Sequence, residues 1–177
     1  MVIPGWLVAI ATFPGVIVHE AAHMLFCRIR GVAVLDVCFF RVGNPAGYVV
    51  HEEAKDFTTS FLISVGPFLV NTVVCLLLCL PAFAPVKLYD VADPLSYLLI
   101  WLGVSIGAHA FPSTADARGL WAHARVAARA YNPLAILSLP LVGLIYVAHI
   151  LAFFWFDVLY GIAVGIGLPM WLLERIV

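Results

Sequence analysis

An apolar run from Val2 to Cys27 is long enough to cross a lipid bilayer, and its only strongly polar side chains are those of His19, Glu20 and His23. About 20 helical residues span the roughly 30 Å hydrocarbon core of a membrane. Ionisable groups are costly inside hydrocarbon, so where they occur they usually mark a function. A chain with such a segment is constrained to a membrane fold that carries a polar site in its first helix.

The composition supports a membrane protein, since 64% of the residues are hydrophobic and only 11% are charged, whereas about a quarter are charged in soluble domains. Five apolar stretches are long enough to cross the bilayer, at residues 3–27, 57–80, 95–112, 134–155 and 157–173. We therefore expect an integral membrane protein of the all-α class, a polytopic bundle of about five transmembrane helices. No linker or internal repeat divides the chain, so residues 1–177 are interpreted as a single membrane domain.

A short β-hairpin is predicted directly after the first helix, at residues 32–52. This segment is rich in Val and Phe on both sides of Gly43–Gly47, a sequence of turn-forming residues. Two apolar runs joined by such a turn are typical of a hairpin.

The basic residues predict an orientation, because Lys and Arg concentrate in cytoplasmic loops. With the N-terminus outside and the C-terminus cytoplasmic, eight of the nine basic residues fall inside and only Lys87 falls outside. His19 and His23 then lie towards the cytoplasmic side. A small single domain of this kind suits a prokaryotic plasma membrane. The net charge of −1 and the lack of a basic patch exclude a nucleic-acid partner, which leaves the lipid bilayer and membrane proteins.

The pattern His-Glu-Ala-Ala-His at residues 19–23 predicts a zinc site. On a helix, His19 and His23 at positions i and i+4 share one face and can bind one ion, while Glu20 projects about 100° away and can hold a water. This is the minimum equipment for metal-assisted hydrolysis. Two alternatives stay open, namely a chance occurrence of the pattern and a pair of polar residues packed within a helical bundle.

A third metal ligand is expected, because catalytic zinc usually has three protein ligands and a fourth position for water. The predicted orientation brings the end of the third stretch, residues 107–116, to the side of His19 and His23, and Asp116 is its best placed carboxylate. Ser113 or Asp116 could instead cap the helix that follows. One carboxylate is not expected to fill both roles easily.

Asn71 is a lone amide in the apolar second stretch, four residues after Pro67. Such an amide can link two helices by a hydrogen bond. It can also donate to the carbonyl or the developing oxyanion of a substrate. The residues themselves leave both interpretations open.

Three segments in order, HEAAH at 19–23, GPFLVN at 66–71 and FPSTAD at 111–116, resemble the motifs of the site-2 protease family of intramembrane zinc metalloproteases. The resemblance covers about residues 1–120. The Leu-Asp-Gly usual in that family reads Ala115-Asp116-Ala117 here, and the Asn that often opens the segment is absent. The chain thus resembles a compact, divergent member of the family.

The resemblance implies a three-helix catalytic core over residues 1–120, with 134–173 as an additional transmembrane pair. It implies one Zn²⁺ per chain held by His19, His23 and Asp116, with Glu20 as the general base. Asn71 would contact the substrate or the oxyanion, and His109, seven residues before Asp116, would have a supporting role.

The activity implied is that of a zinc-dependent intramembrane endopeptidase, which hydrolyses peptide bonds in or near the transmembrane segments of membrane proteins or membrane-anchored substrates. The hairpin at 32–52 could bind an extended substrate along its strand edge. Two other functions are weighed against this one. A catalytically silent relative that binds transmembrane segments would have no need of Glu20, and a zinc transporter would spread its ligands along a pathway rather than gather them near one face.

Overall fold

The computed structural model describes residues 5–89, 91, 93–151 and 155–175, which are mostly helical. Two short helices, α1 (Gly5–Ala11) and α2 (Phe13–Ile29), precede an antiparallel pair of strands, β1 (Val34–Cys38) and β2 (Tyr48–His51). The helices that follow are α3 (Phe57–Tyr89), α4 (Pro94–Ala108), α5 (Thr114–Arg129), α6 (Pro133–Leu151), α7 (Phe156–Ile162) and α8 (Leu168–Leu173), the last two joined by a π-helical turn at Ala163–Gly167.

The first predicted stretch is not one straight helix, because α1 and α2 meet at an angle of 88°. Pro14 stands at the start of α2 and has no amide hydrogen with which to continue the hydrogen bonds of α1. The Thr12 hydroxyl donates to the Val8 carbonyl at 2.7 Å and closes the last turn of α1. Residues 3 and 4 of the predicted stretch lie outside the described residues.

The hairpin predicted at residues 32–52 is confirmed. Strands β1 and β2 pair antiparallel, with Val37 opposite Val49 and Cys38 opposite Tyr48. The register shifts between Val34 and Asp36, an irregularity that bends a strand locally. The loop between the strands contains the predicted turn at 43–47 and runs back towards α2.

Among the described residues, two helical segments are long and apolar enough to cross a membrane, Phe57–Lys87 in α3 and Phe156–Leu173 from α7 to α8. The bent pair α1–α2 makes a third if it counts as one span. The predicted number of about five is not confirmed, since α4 has 15 residues and rises only about 22 Å. A shorter apolar segment, Pro133–Ala148, lies within α6, which has 19 residues and ends at Leu151. Residues 152–154 of the fourth predicted stretch lie outside the described residues.

Close packing of α3 against α4 depends on small residues. Cys75 and Cys79 of α3 are fully buried. They face Gly107 and Gly103 of α4, where a Cβ added to Gly107 would lie 2.9 Å from the Cys75 sulfur. Small residues of this kind let membrane helices approach closely.

A hydrophobic cluster fixes α5 against its neighbours. Leu120 and Ala124 of α5 pack with Val142 of α6 and with Phe57 and Val65 of α3. The start of α5, which carries Asp116, is thereby held beside the first half of α3.

Candidate metal centre

Helix α2 places His19 and His23 one turn apart on its buried face, as the spacing of the motif predicts. Their exposed fractions are 7% and 5%, and their Nε2 atoms lie 3.1 Å apart. The Nδ1 atom of His19 is 2.7 Å from the main-chain oxygen of His109. Because a carbonyl only accepts, Nδ1 carries the proton, and Nε2 keeps its lone pair for a metal ion.

Asp116 lies beside the two histidines although 93 positions separate it from His23 in the sequence. Its Oδ2 atom is 3.4 Å from His23 Nε2. Helix α5 brings it there, and that helix begins with a capping box in which the Ser113 hydroxyl accepts from the Asp116 amide. Asp116 Oδ2 in turn accepts from the Ser113 amide at 3.0 Å and from its hydroxyl at 2.5 Å.

Of the two residues predicted as alternatives for the cap, Ser113 is the N-cap, and metal binding by Asp116 stays a prediction. Asp116 is the third residue of the helix. A carboxylate offers two oxygens with about four acceptor sites. It has room for the Ser113 donors and for a position facing His23.

The three side chains fit a divalent metal ion such as zinc. One ligand atom from each of His19, His23 and Asp116 lies within 4.8 Å of the others. Bonds of 2.0–2.1 Å in a tetrahedron put neighbouring ligand atoms about 3.3 Å apart. The separations of 3.1 and 3.4 Å at His23 lie close to this value, and two imidazoles with a carboxylate suit zinc.

The carboxyl group of Asp116 is held in its charged form. Burial alone would raise its pKa, but the hydrogen bond and positive potential from His23, together with the Ser113 hydroxyl, lower the pKa well below its usual range. At neutral pH, Asp116 is therefore an anion facing the two imidazoles.

Glu20 lines a cleft of about 300 Å³ next to His19. The hairpin loop at 44–47 and the 108–114 segment form its other walls, and Asp157 stands at its border. Gly47 is in close contact with Glu20. A Cβ added to Gly47 would be 2.7 Å from Glu20 Cγ and 3.1 Å from Glu20 Oε1. The loop thus limits where the carboxylate of Glu20 can lie.

A second cleft, of about 450 Å³, opens on the Asp116 side. Residues 49–54 of β2 and the following loop form one wall, and Ser60 and Ser64 of α3 form another. His123 of α5 lines it as well and bonds through Nδ1 to the Ser60 hydroxyl at 2.6 Å. The candidate metal site therefore lies between two clefts, one lined by Glu20 and the other by Asp116.

Asn71 and His109 lie close to the centre but differ from the three candidate ligands. Asn71 is fully buried, is not among the residues that line the two clefts, and bonds to main-chain oxygens of α4. Its contact with substrate stays a prediction. His109 touches His19 through its main chain, while its ring nitrogen Nε2 lies 2.7 Å from the Thr12 hydroxyl.

Gly47 and Ser60 are the residues of this region that sequence reasoning missed. Gly43–Gly47 predicted a turn, but a turn pattern carries no information about which distant side chain the turn contacts. The bond between Ser60 and His123 joins positions 63 residues apart. Only the folded arrangement reveals these two contacts.

No family model matches this chain, and no curated protein or solved structure matches it either. The resemblance to site-2 proteases therefore rests on the three short motifs alone. What the site can do has to be argued from its own geometry.

Proposed function

We propose that this protein is a zinc-dependent endopeptidase that hydrolyses peptide bonds within or near the membrane. The observation that carries the proposal is the convergence of His19, His23 and Asp116, whose ligand atoms lie within 4.8 Å of one another, with Glu20 on the adjoining cleft. A chance occurrence of the HEAAH pattern gives no reason for a distant carboxylate to meet both histidines.

The chemistry assigned to zinc is Lewis-acid activation of water near neutral pH. His19, His23 and Asp116 would hold the ion, and one ion per chain is expected. Glu20 would accept a proton from the water and pass it to the leaving amine, which is the usual role of a carboxylate general base. Gly47 lies close to the Glu20 side chain in the first cleft.

The proposed substrates are transmembrane or membrane-anchored proteins. A helix hides its carbonyls in its own hydrogen bonds, so a substrate helix has to unwind before a peptide bond can be attacked. Residues 49–51 of β2 line the second cleft, and a strand edge can bind an extended peptide through main-chain hydrogen bonds. We propose that an unwound substrate segment lies along β2 and crosses the site from one cleft to the other.

The proposed placement is a prokaryotic plasma membrane crossed about five times, with the N-terminus outside and the site towards the cytoplasm. Among the described residues, two helices are apolar and long enough to span a membrane, or three if the bent pair α1–α2 counts as one span. The remaining crossings would use α4 and α6. Helix α4 has only 15 residues, so its crossing would require local thinning of the bilayer or support from neighbouring helices. The distribution of the nine basic residues supports this orientation.

The experiment that tests the function compares the native chain with Glu20→Gln and Asp116→Ala in detergent. Zinc content and cleavage of a model single-pass substrate are measured for all three. We expect about one zinc and cleavage for the native chain, zinc without cleavage for Glu20→Gln, and loss of zinc for Asp116→Ala. Zinc binding without cleavage in the native chain would favour a catalytically silent relative or a zinc transporter. Absence of bound zinc would show that the HEAAH pattern occurs by chance.

A further inference from the structure

The C-terminal end of α4 lies against the candidate metal site, and its main-chain oxygens need partners. The last carbonyl oxygens of a helix find no amide donor within that helix. Leaving them unpaired costs free energy in an apolar interior. Asn71, from the middle of α3, supplies two of these bonds. Its Nδ2 lies 3.0 Å from the oxygens of both Ile106 and His109.

The orientation of the Asn71 amide follows from its surroundings. Its nitrogen also approaches the Gly15 oxygen of α2 at 3.4 Å, so three carbonyl oxygens surround one atom. An oxygen in that place would be repelled by all three, which assigns the NH₂ group there. The buried Oδ1 atom has no hydrogen-bond partner among the described residues, a cost that the fold accepts.

The His109 oxygen that accepts from Asn71 also accepts from His19 Nδ1, at 2.7 Å. Both acceptor positions of this carbonyl are therefore used. We infer that Asn71 is a positioning residue, which holds the His109 carbonyl where it fixes His19 in the tautomer and ring orientation that direct Nε2 to the metal. This inference rests on the proposed function, because it concerns the same metal site.

The ring of His109 holds the same segment from the other side. The Thr12 hydroxyl donates to the Val8 carbonyl and therefore accepts from His109 Nε2, which lies 2.7 Å away. Asn71 and Thr12 thus anchor His109 to α3 and to the bend between α1 and α2. Partners of this kind around a ligating histidine typically change metal affinity 10- to 100-fold when they are removed.

The test measures Co²⁺ affinity, and the intensity of the visible Co²⁺ absorption, for the native chain and Asn71→Leu, which keeps the volume and removes the donor. The matched control is Thr72→Val, one residue further along α3, which removes a bond to Tyr160 at 2.8 Å that does not involve His109. We expect the Co²⁺ dissociation constant to rise 10- to 100-fold in Asn71→Leu and to stay within about twofold in Thr72→Val. Equal affinity in the native chain and Asn71→Leu, or an equal loss in the control, would overturn the inference.

A second measurement needs no folded variant at position 71. The ¹⁵N shifts of the His19 ring in the metal-free native chain, assigned by comparison with His19→Gln, are expected to show the proton on Nδ1. A proton on Nε2 would overturn the inference. Unchanged Co²⁺ affinity with lost cleavage in Asn71→Leu would also overturn it and make Asn71 a substrate contact. Absence of Co²⁺ and Zn²⁺ binding in the native chain would refute the proposed function, while the ring shifts would still decide the tautomer.

Discussion

The Asp116 carboxylate meets two demands, since it accepts from the N-cap residue of α5 and faces the two histidines. The Ser113 hydroxyl is the group that joins these roles. Replacing Ser113 by Ala removes the cap and one bond to Asp116 Oδ2. We expect a stability loss of about 1 kcal/mol and a rise of about tenfold in the zinc dissociation constant, measured by thermal unfolding and by zinc titration.

The control for Ser113→Ala is Asp93→Ala, which removes the N-cap of α4, where Asp93 accepts from the Ser96 amide at 3.0 Å. This cap lies at the far end of α4 from His109. Thermal stability should fall in both variants, but only Ser113→Ala should weaken zinc binding. Equal zinc affinity in all three proteins would show that Asp116 is held without help from its cap.

Gly47 is expected to control catalysis through the position of Glu20. A methyl group on Gly47 would lie 2.7 Å from Glu20 Cγ, closer than atoms can pack, so the carboxylate has to move. A displacement of about 1 Å at a reacting group can cost about 10²-fold in rate. We therefore expect Gly47→Ala to lower kcat by about 10²-fold while zinc content stays at its native value.

Gly43→Ala is the matched control for Gly47→Ala. It belongs to the same loop, but its added methyl group would meet only the Arg41 Nε atom, at 3.9 Å. Neither glycine has a positive φ, so backbone strain does not separate the two variants. Cleavage at the native rate by Gly47→Ala would show that Glu20 is not the base or that the loop moves freely.

Residue roles could be predicted from the sequence where they depend on local spacing. His19 and His23 share a face because they lie four positions apart, which holds for any α-helix. The double use of Asp116 could not be predicted, since it depends on how the first turn of α5 packs beside α2. The contact of Gly47 with Glu20 likewise requires the hairpin loop to fold back on the helix that precedes it.

At the scale of elements, the hairpin is proposed to bind the substrate through the free edge of β2, and proline substitutions can test this role. Successive amides of a strand point to opposite edges. Of the two substitutions Val49→Pro and Val50→Pro, one therefore removes an amide that donates to β1, and the other removes an amide on the free edge of β2. We expect the free-edge variant to lose cleavage by at least tenfold with native zinc content, because β-augmentation relies on main-chain hydrogen bonds. Unchanged cleavage in both variants, with zinc retained, would refute strand pairing with the substrate.

The lengths of the helices were harder to predict than their positions. Apolar composition located the apolar helices but did not include α5, which carries Asp116. It also did not reveal that the chain turns by 88° at Pro14, since Pro67, Pro81 and Pro85 leave α3 continuous. Whether a proline breaks a membrane helix depends on which neighbours satisfy the freed carbonyl. That depends on tertiary structure, which a hydropathy pattern does not contain.

At the scale of the whole molecule, the helices bring candidate metal ligands from two distant parts of the chain close together. Helix α2 brings two histidines and α5 brings Asp116, while α3 lies beside both and bonds through Asn71 to the end of α4. The helices that follow α6 contribute Tyr160 and Gly161, which pack on Thr72 and on the 104–108 segment of α4. The candidate ligands therefore lie within residues 12–116, while later residues support this region and complete the cleft walls through His123 and Asp157.

The proposed pattern of five membrane crossings predicts on which side of the membrane each connecting segment lies. With five crossings, position 91 after α3 lies outside and position 131 after α5 lies in the cytoplasm, as the excess of Arg in α5 indicates. Reporters that are active only outside or only inside the cell, each inserted at both positions, should give outside activity at 91 and inside activity at 131. If both positions report the same side, α4 does not cross the membrane, as its 15 residues allow, and the proposed pattern of five crossings is wrong.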